Sequence, residues 1–458
     1  MAVALLALLP LWHAEGLEQQ DFSLENGLRV ILVREPKAPV AIAQIWYRVG
    51  ALDEPEGKSG LSHMLEHMMF QGTPAVPAGE FHRIIGRNGG ENNASTSRDH
   101  TSYYIKLASD RIALALDLEA DRMRHLSLRE TEFRSENLVV QEERRTRTDA
   151  DPNGRFLEKF QAKAYGSHPY GRPVIGWMTE IQQYTTEDLR AWYHRYYVPN
   201  NAVLVVVGDI ELASMAQQVR DRFSSIPAAP PPTTSLPEHP PPWERDGSVP
   251  TLPQAPSSVA QRLEVTDPAV TLPMWYGGYP TPSLLTVDRE DVFALDLLAT
   301  LLGSGSNSRL YKRLVLEEGL AVSVSASYGG YARSWELFTL SAAPKMDDGQ
   351  DVGAQASSLM PRLEQAILAE VRRLAQEPVG ERELQRAKNS MMAHHIFARD
   401  SLHELASVIG LLAASNLDWP ALVDDFPQKI AAVRAEDVQR VAARYLRPDL
   451  LTVGVLKP

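Results

Sequence analysis

The chain is 458 residues long, and 46 Lys and Arg against 58 Asp and Glu give it a formal net charge of −12. That length is too great for one simple core, and 44% apolar with 23% charged residues excludes global disorder. The acidic balance argues against a general nucleic-acid binder. The complete lack of cysteine removes disulfides, thiolate catalysis and Cys-ligated metal sites, leaving only His and carboxylate chemistry for a metal.

The N-terminus carries an apolar run, Ala2 to Trp12, followed by His13-Ala14-Glu15-Gly16. A bilayer span needs about 20 residues, so no stable membrane insertion is expected. The run reads as the h-region of a secretory signal, with the basic n-region expected upstream of Met1. Residues 1–16 are thus a signal-like or disordered segment, and the protein is expected in the periplasm or secreted, with the cytoplasm as the alternative.

Leu28 to Val33 and Val40 to Val49 read as strands joined by a turn at Glu35-Pro36-Lys37. Gly60 to Phe70, Ser109 to Leu126 and Glu130 to Arg147 carry helical periodicity, and Tyr103 to Leu107 reads as another strand. Hairpins and helices without regular βαβ alternation indicate an α+β fold. Between Pro227 and Pro256 lie eleven prolines in thirty residues, which can form neither a helix interior nor a central strand. This linker, residues 227–256, divides the chain into residues 17–226 and 257–458.

The two halves share a pattern. Glu187-Asp188-Leu189, Arg195-Tyr196 and Pro199 precede the apolar run Ala202 to Val207, and Glu436-Asp437-Val438, Arg444-Tyr445 and Pro448 precede Leu450 to Leu456. Each matched residue is displaced by 249 positions. The common order of capped helix, proline and strand points to a duplicated domain.

The chemistry concentrates in Ser62-His63-Met64-Leu65-Glu66-His67-Met68. On a helix, His63, Glu66 and His67 fall within about 100° of arc, so two imidazoles can share one ion with a carboxylate beside them. Zinc suits such ligands, and Glu66 is then better used as the base for a bound water than as a ligand. A third ligand is needed. Glu136 and Glu143 lie seven residues apart on a predicted helix, separated by about 10 Å along its axis, so one can ligate while the other orients a ring. Glu142 competes for the ligand role, and Glu142-Glu143-Arg144-Arg145 also fits a solvated face of ion pairs.

These residues resemble the inverted-motif zinc peptidases of the pitrilysin, insulin-degrading and mitochondrial-processing peptidase type, whose signature is His-x-x-Glu-His. Gly60 to Phe70, with Gly72-Thr73, is similar to that family's metal helix throughout, and 75 residues separate His67 from Glu143. The resemblance selects Glu143, through Val140-x-x-Glu143, over Glu142, and gives Glu136 a supporting role. It also marks Asn93, Ala94, Ser95 and Thr96 as substrate-binding, since with Asp99, Thr101 and Tyr103 they resemble the segment entering that family's substrate-binding edge strand. His168-Pro169-Tyr170-Gly171, Leu302-Gly303-Ser304-Gly305 and Ser308-Arg309-Leu310-Tyr311 are similar as well. The resemblance implies two homologous α+β domains, each an antiparallel-rich sheet covered by helices, facing each other across a cavity. The first is catalytic, with one zinc ion, and the second inactive.

One departure bears on function. Relatives usually carry Leu-Arg-x-x-x-Gly-Leu-Ala-Tyr in the second domain, where the Arg and Tyr hold substrate. Here the run is Leu314-Val315-Leu316-Glu317-Glu318-Gly319-Leu320-Ala321-Val322, with valine at both positions. Valine offers no hydrogen-bond donor to a developing oxyanion. The expectation is a zinc endopeptidase acting on peptides or unfolded segments, as the catalytic subunit of a heterodimer whose partner supplies Arg and Tyr. A homodimer and a non-catalytic docking subunit are the alternatives. His394-His395 and His403 read as surface histidines, Arg309 as a structural contact, Gly303 and Gly305 as a flexible loop, and Gly89-Gly90 as a place where a substrate backbone approaches closely.

Overall fold

The computed structural model describes residues 17–229 and 259–458 except 287, 288, 348 and 350. The expected N-terminal segment 1–16 and most of the proline-rich linker lie outside the described residues. The first half builds a six-stranded sheet from β1 (Gln19–Ser23), β2 (Arg29–Arg34), β3 (Val40–Tyr47), β4 (Glu91–Thr96), β5 (Thr101–Ala108) and β6 (Ala202–Gly208), in the order β1-β2-β6-β3-β5-β4. The second half builds five strands, β7 (Gln261–Thr266), β8 (Met274–Thr281), β9 (Ala321–Ser327), β10 (Glu336–Pro344) and β11 (Thr452–Lys457), in the order β7-β11-β8-β10-β9. Strand pairs are antiparallel except β2 with β6 and β7 with β11. The two sheets therefore share one topology, apart from the extra β1, and the α+β class holds.

The helices of the first half are α1 (Leu61–Met68), α2 (Glu80–Arg87), α3 (Ile112–His125), α4 (Glu130–Arg144), α5 (Pro152–Tyr165), α6 (Met178–Ile181), α7 (Thr186–Tyr196) and α8 (Leu212–Phe223). Those of the second are α9 (Val292–Gly303), α10 (Val352–Gln376), α11 (Glu381–Asp400), α12 (Leu402–Ala414), α13 (Trp419–Asp424), α14 (Phe426–Ala432) and α15 (Ala435–Tyr445). The 249-residue displacement carries α7 onto α15 in full. The helix expected to run to Arg147 leaves α-geometry at Arg144 and continues as a wider π-turn, Arg145–Asp149.

Every residue of β6 is buried, which requires cover on both faces of the sheet. Leu204 and Val206 face the core under the first half's own helices. Val203, Val205 and Val207 face the other way, with Ile31, Val33 and Ile42, onto Leu405, Ile409 and Leu412 of α12. A helix of the second half thus roofs the sheet of the first. The relation is reciprocal, because Phe156 and Phe160 of α5 pack on the second sheet against Leu456, Leu337 and Tyr276. Both helices approach closely over glycine. A Cβ at Gly410 would lie 2.0 Å from Trp46 Nε1, and one at Gly454 would lie 2.7 Å from Phe156. Each Val, Leu or Ile buried this way contributes roughly 1.5–3 kcal/mol.

A polar cluster pins the same interface. Arg333, buried, donates to both oxygens of Asp53 at 2.7 and 2.9 Å, and its backbone N–H donates to Asp99 at 3.1 Å. Tyr170 closes the cluster with a hydroxyl bond to Asp99. Beside it, a cavity of about 260 Å³ between the halves is lined by Arg98, Tyr165, Tyr276 and Glu336. Gly303, expected with Gly305 in a flexible loop, instead ends α9, where a Cβ would lie 2.1 Å from Ala326 N of β9. Gly90 is required by its own sheet, since a Cβ would lie 2.7 Å from Lys106 O.

Candidate metal centre

Helix α1 starts from Gly60, whose φ of +88° turns the chain and whose missing side chain leaves room for Ile175 O, 2.4 Å from a Cβ there. A buried carboxylate, Glu54, caps it by accepting from Gly60 N at 2.8 Å and Ser62 N at 2.7 Å. Burial pushes the Glu54 carboxyl up to about 8, against the pull of those bonds. Leu61, Met64, Leu65 and Met68 bury one face of the helix, so His63, Glu66 and His67 are left on the other.

Helix α4 packs across α1 and aims Glu143 at that face. Glu143 Oε2 lies 3.2 Å from His67 Nε2 and 3.8 Å from His63 Nε2. One ligand atom from each of the three residues falls within 4.8 Å of the others, the only such group of His and carboxylates among the described residues. Around a zinc ion with bonds near 2.0–2.1 Å, tetrahedral ligand atoms sit about 3.3 Å apart. The two nitrogen-to-oxygen distances bracket that spacing, so the donor set fits zinc. Burial, with His67 beside it, brings His63 down to about 4. Hydrogen bonding to His67, with His63 and Arg147 adding to it, holds the Glu143 carboxyl below its ordinary value.

The supporting contacts are unequal. Glu136 Oε1 accepts from His67 Nδ1 at 2.9 Å, and Glu136 Oε2 accepts from Gln71 Nε2 at 2.8 Å. Burial alone would lower His67, but the bonds to Glu136 and Glu143 outweigh it and bring it to about 9. His63 Nδ1, by contrast, is buried without a partner among the described residues. Glu142 is exposed and pairs with Arg145 at 3.1 Å, away from the rings.

Glu66 stands beside the group. Burial raises its carboxyl, while a 2.5 Å hydrogen bond from Thr96 Oγ1 works the other way. Thr96 ends β4, the edge of the first sheet, where exposed Asn93 and Ser95 alternate with half-buried Ala94 and Thr96. Thr96 therefore turns towards α1 rather than outward. Three participants escaped sequence reasoning. Arg147 pairs with Glu143 Oε1 at 2.5 Å, four residues along the chain, a spacing that could have revealed it. Gln71 and Glu54 carry no local signal.

Elsewhere, Arg309 forks onto Glu383 at 2.8 and 2.9 Å, a structural pair as expected. His403 meets the Tyr104 ring edge-on at 4.6 Å.

Residues 29–177 match the family described as insulinase (peptidase family M16), and residues 183–391 match the peptidase M16 inactive domain. The chain belongs to the M16 peptidase family. Zinc protease PqqE of Helicobacter pylori is 32% identical over 465 residues, spanning 100% of this chain and 97% of that protein. The crystal structure of a protease from Helicobacter pylori superposes with a TM-score of 0.84 at 32% identity, covering 96% of this chain and 100% of that one. The periplasmic protease PqqL from Escherichia coli shares the fold, with a TM-score of 0.75 at 19% identity over 96% of this chain and 47% of that one. The M16 inactive-domain match begins at residue 183, ahead of α7 and of β6, a strand of the first sheet. The zinc protease names of M16 relatives agree with the donor set, and among the described residues no helix is long and apolar enough to cross a membrane.

Proposed function

We propose that this M16 chain is a zinc-dependent endopeptidase for peptides or unfolded segments, with residues 17–226 as its metal-bearing domain and 257–458 as its inactive one. The observation that carries the reading is the meeting of His63, His67 and Glu143 beside Glu66. His63, His67 and Glu143 would hold one zinc, which supplies Lewis acidity and a more acidic water. Glu66 accepts the proton of the attacking water, and its burial makes it a stronger base. Thr96 holds that carboxylate in place, and Glu136 fixes the ring of His67. The free edge of β4, at Asn93 to Thr96, offers backbone groups to which an extended peptide adds as a further strand, giving affinity with little sequence selectivity.

The partner is a homologous subunit bearing the Arg and Tyr that this chain lacks. Val315 packs against the second core and Val322 stands half exposed at the head of the edge strand β9, and neither can donate a hydrogen bond to a peptide. The same two valines favour the second reading, a docking subunit without catalysis. The apolar run at Ala2 to Trp12 supports export to the periplasm.

The test is Glu66→Gln, assayed with quenched peptides and by zinc content, alone and with the partner. Zinc retained and cleavage lost is the expected result. Undiminished cleavage removes Glu66 as the base, and wild-type chain that binds zinc yet never cleaves, even with a partner, selects the docking reading.

A further inference from the structure

The site described above has a counterpart in the second half. Helix α1 precedes the edge strand β4 and packs on α4. Helix α9 likewise precedes the edge strand β9 and packs on α11. Where the first pair carries the metal ligands, the second encloses a pocket of about 420 Å³, within the range of small-molecule sites. Its walls are mainly apolar, with Leu412, Phe426 and Tyr331 among them, and it is closed on one side by Asp296 of α9 and by His394 and His395 of α11.

Asp296, partly buried, lines that pocket, and its carboxylate has no hydrogen bond or ion pair among the described residues. His395 Nε2, on α11, is likewise without a partner among the described residues, its ring stacked on Phe426 at 4.8 Å. No Lys or Arg lines the pocket among the described residues. A lone carboxylate in apolar surroundings is costly unless a cation meets it. A metal is poorly served, because consecutive histidines on a helix point about 100° apart, and Asp296 forms no close ligand group with them. An organic cation is better served, since the apolar walls take its hydrocarbon and the faces of Phe426 and Tyr331 favour positive charge.

We propose that this pocket between α9, α11 and the α12–α14 layer binds an apolar ammonium, with Asp296 as its counter-ion. Burial pushes the Asp296 carboxyl up to about 6, with His394 acting against it, so the anion is available at neutral pH. One wall is α11, a twenty-residue helix whose residues other than Ala387 are at least partly exposed. The ligand is either a free aliphatic amine or the α-ammonium of a peptide that begins with an apolar residue. The inference does not depend on the peptidase reading, because it concerns other residues in the other half.

The experiment is calorimetric titration of the full chain at pH 7 with hexylammonium and with 1-hexanol, then with leucinamide and N-acetyl-leucinamide to separate the two sources. Hexylammonium is expected to bind at least tenfold more tightly than hexanol, and Asp296→Asn is expected to bring the two within twofold while leaving zinc content unchanged. Leucinamide binding that acetylation abolishes assigns the pocket to peptide N-termini, and binding of hexylammonium alone assigns it to free amines. Equal binding of amine and alcohol by the wild type, no binding of either, or a preference that survives Asp296→Asn overturns the proposal.

Discussion

Thr96 Oγ1 donates to Glu66 Oε2 at 2.5 Å, so the last residue of the edge strand holds the side chain that would take the proton. The strand that would receive a peptide and the base that would deprotonate the attacking water are thereby locked in one frame. Replacing Thr96 with Val keeps the shape and removes the donor. Turnover is expected to fall about tenfold, the scale of one or two hydrogen-bonding kilocalories, with KM and zinc content unchanged. Steady-state kinetics beside metal analysis checks it, and a rise in KM alone would mean that Thr96 serves the peptide rather than the base.

Glu136 works on the metal through His67, whose ring it orients by a 2.9 Å bond. Glu136→Gln is expected to weaken zinc affinity by about 10–100-fold, read by competition with a chromogenic chelator. His63 has no such partner among the described residues, so the loss should be borne at His67 alone.

The interface between the halves rests on a buried charge. Arg333→Ala would leave Asp53 and Asp99 buried without their cation, and breaking such a cluster costs about 3–5 kcal/mol. The midpoint of urea unfolding should fall accordingly. Arg134→Ala, which removes an exposed pairing with Glu130, should leave that midpoint unchanged, because solvent screens such a pair.

Acid should weaken the same interface. Burial, with Arg333 and Arg48 nearby, brings His100 down to about 3, and burial, with Arg98 and Arg172 nearby, brings His168 to about 4. Both rings reach across to the second half, His168 at 2.8 Å from Ser334 Oγ and His100 at 3.3 Å from Ser415 Oγ. Below about pH 6.5 the unfolded chain binds protons that the folded rings refuse. Stability is therefore whole above that pH, is lost as pH falls towards 4, and changes no further on their account below about 3. Denaturant titrations across this window should show a shallower slope in His100→Gln than in the wild type.

Local periodicity made the metal helix legible, because a turn of helix puts His63, Glu66 and His67 on one face whatever surrounds it. The linker and the duplication were legible for a similar reason. Proline density and a 249-residue displacement are properties of the string itself. The residues alone left Glu142 and Glu143 open, and it took the family resemblance to choose between them. What only the tertiary structure decided lies between segments far apart in sequence. The rotation of α4 against α1 sets Glu143 beside both rings while Glu142 faces solvent. The register of β4 on β5 turns Thr96 inward to Glu66, where sequence reading had placed it among groups that meet the peptide. The exchange of α5 and α12 between the halves explains why β6 is apolar at every position, a pattern whose strand was evident but whose second covering layer was not. Helical and strand periods describe one segment against an unspecified environment, whereas these relations depend on which segment supplies that environment, and packing alone makes that choice.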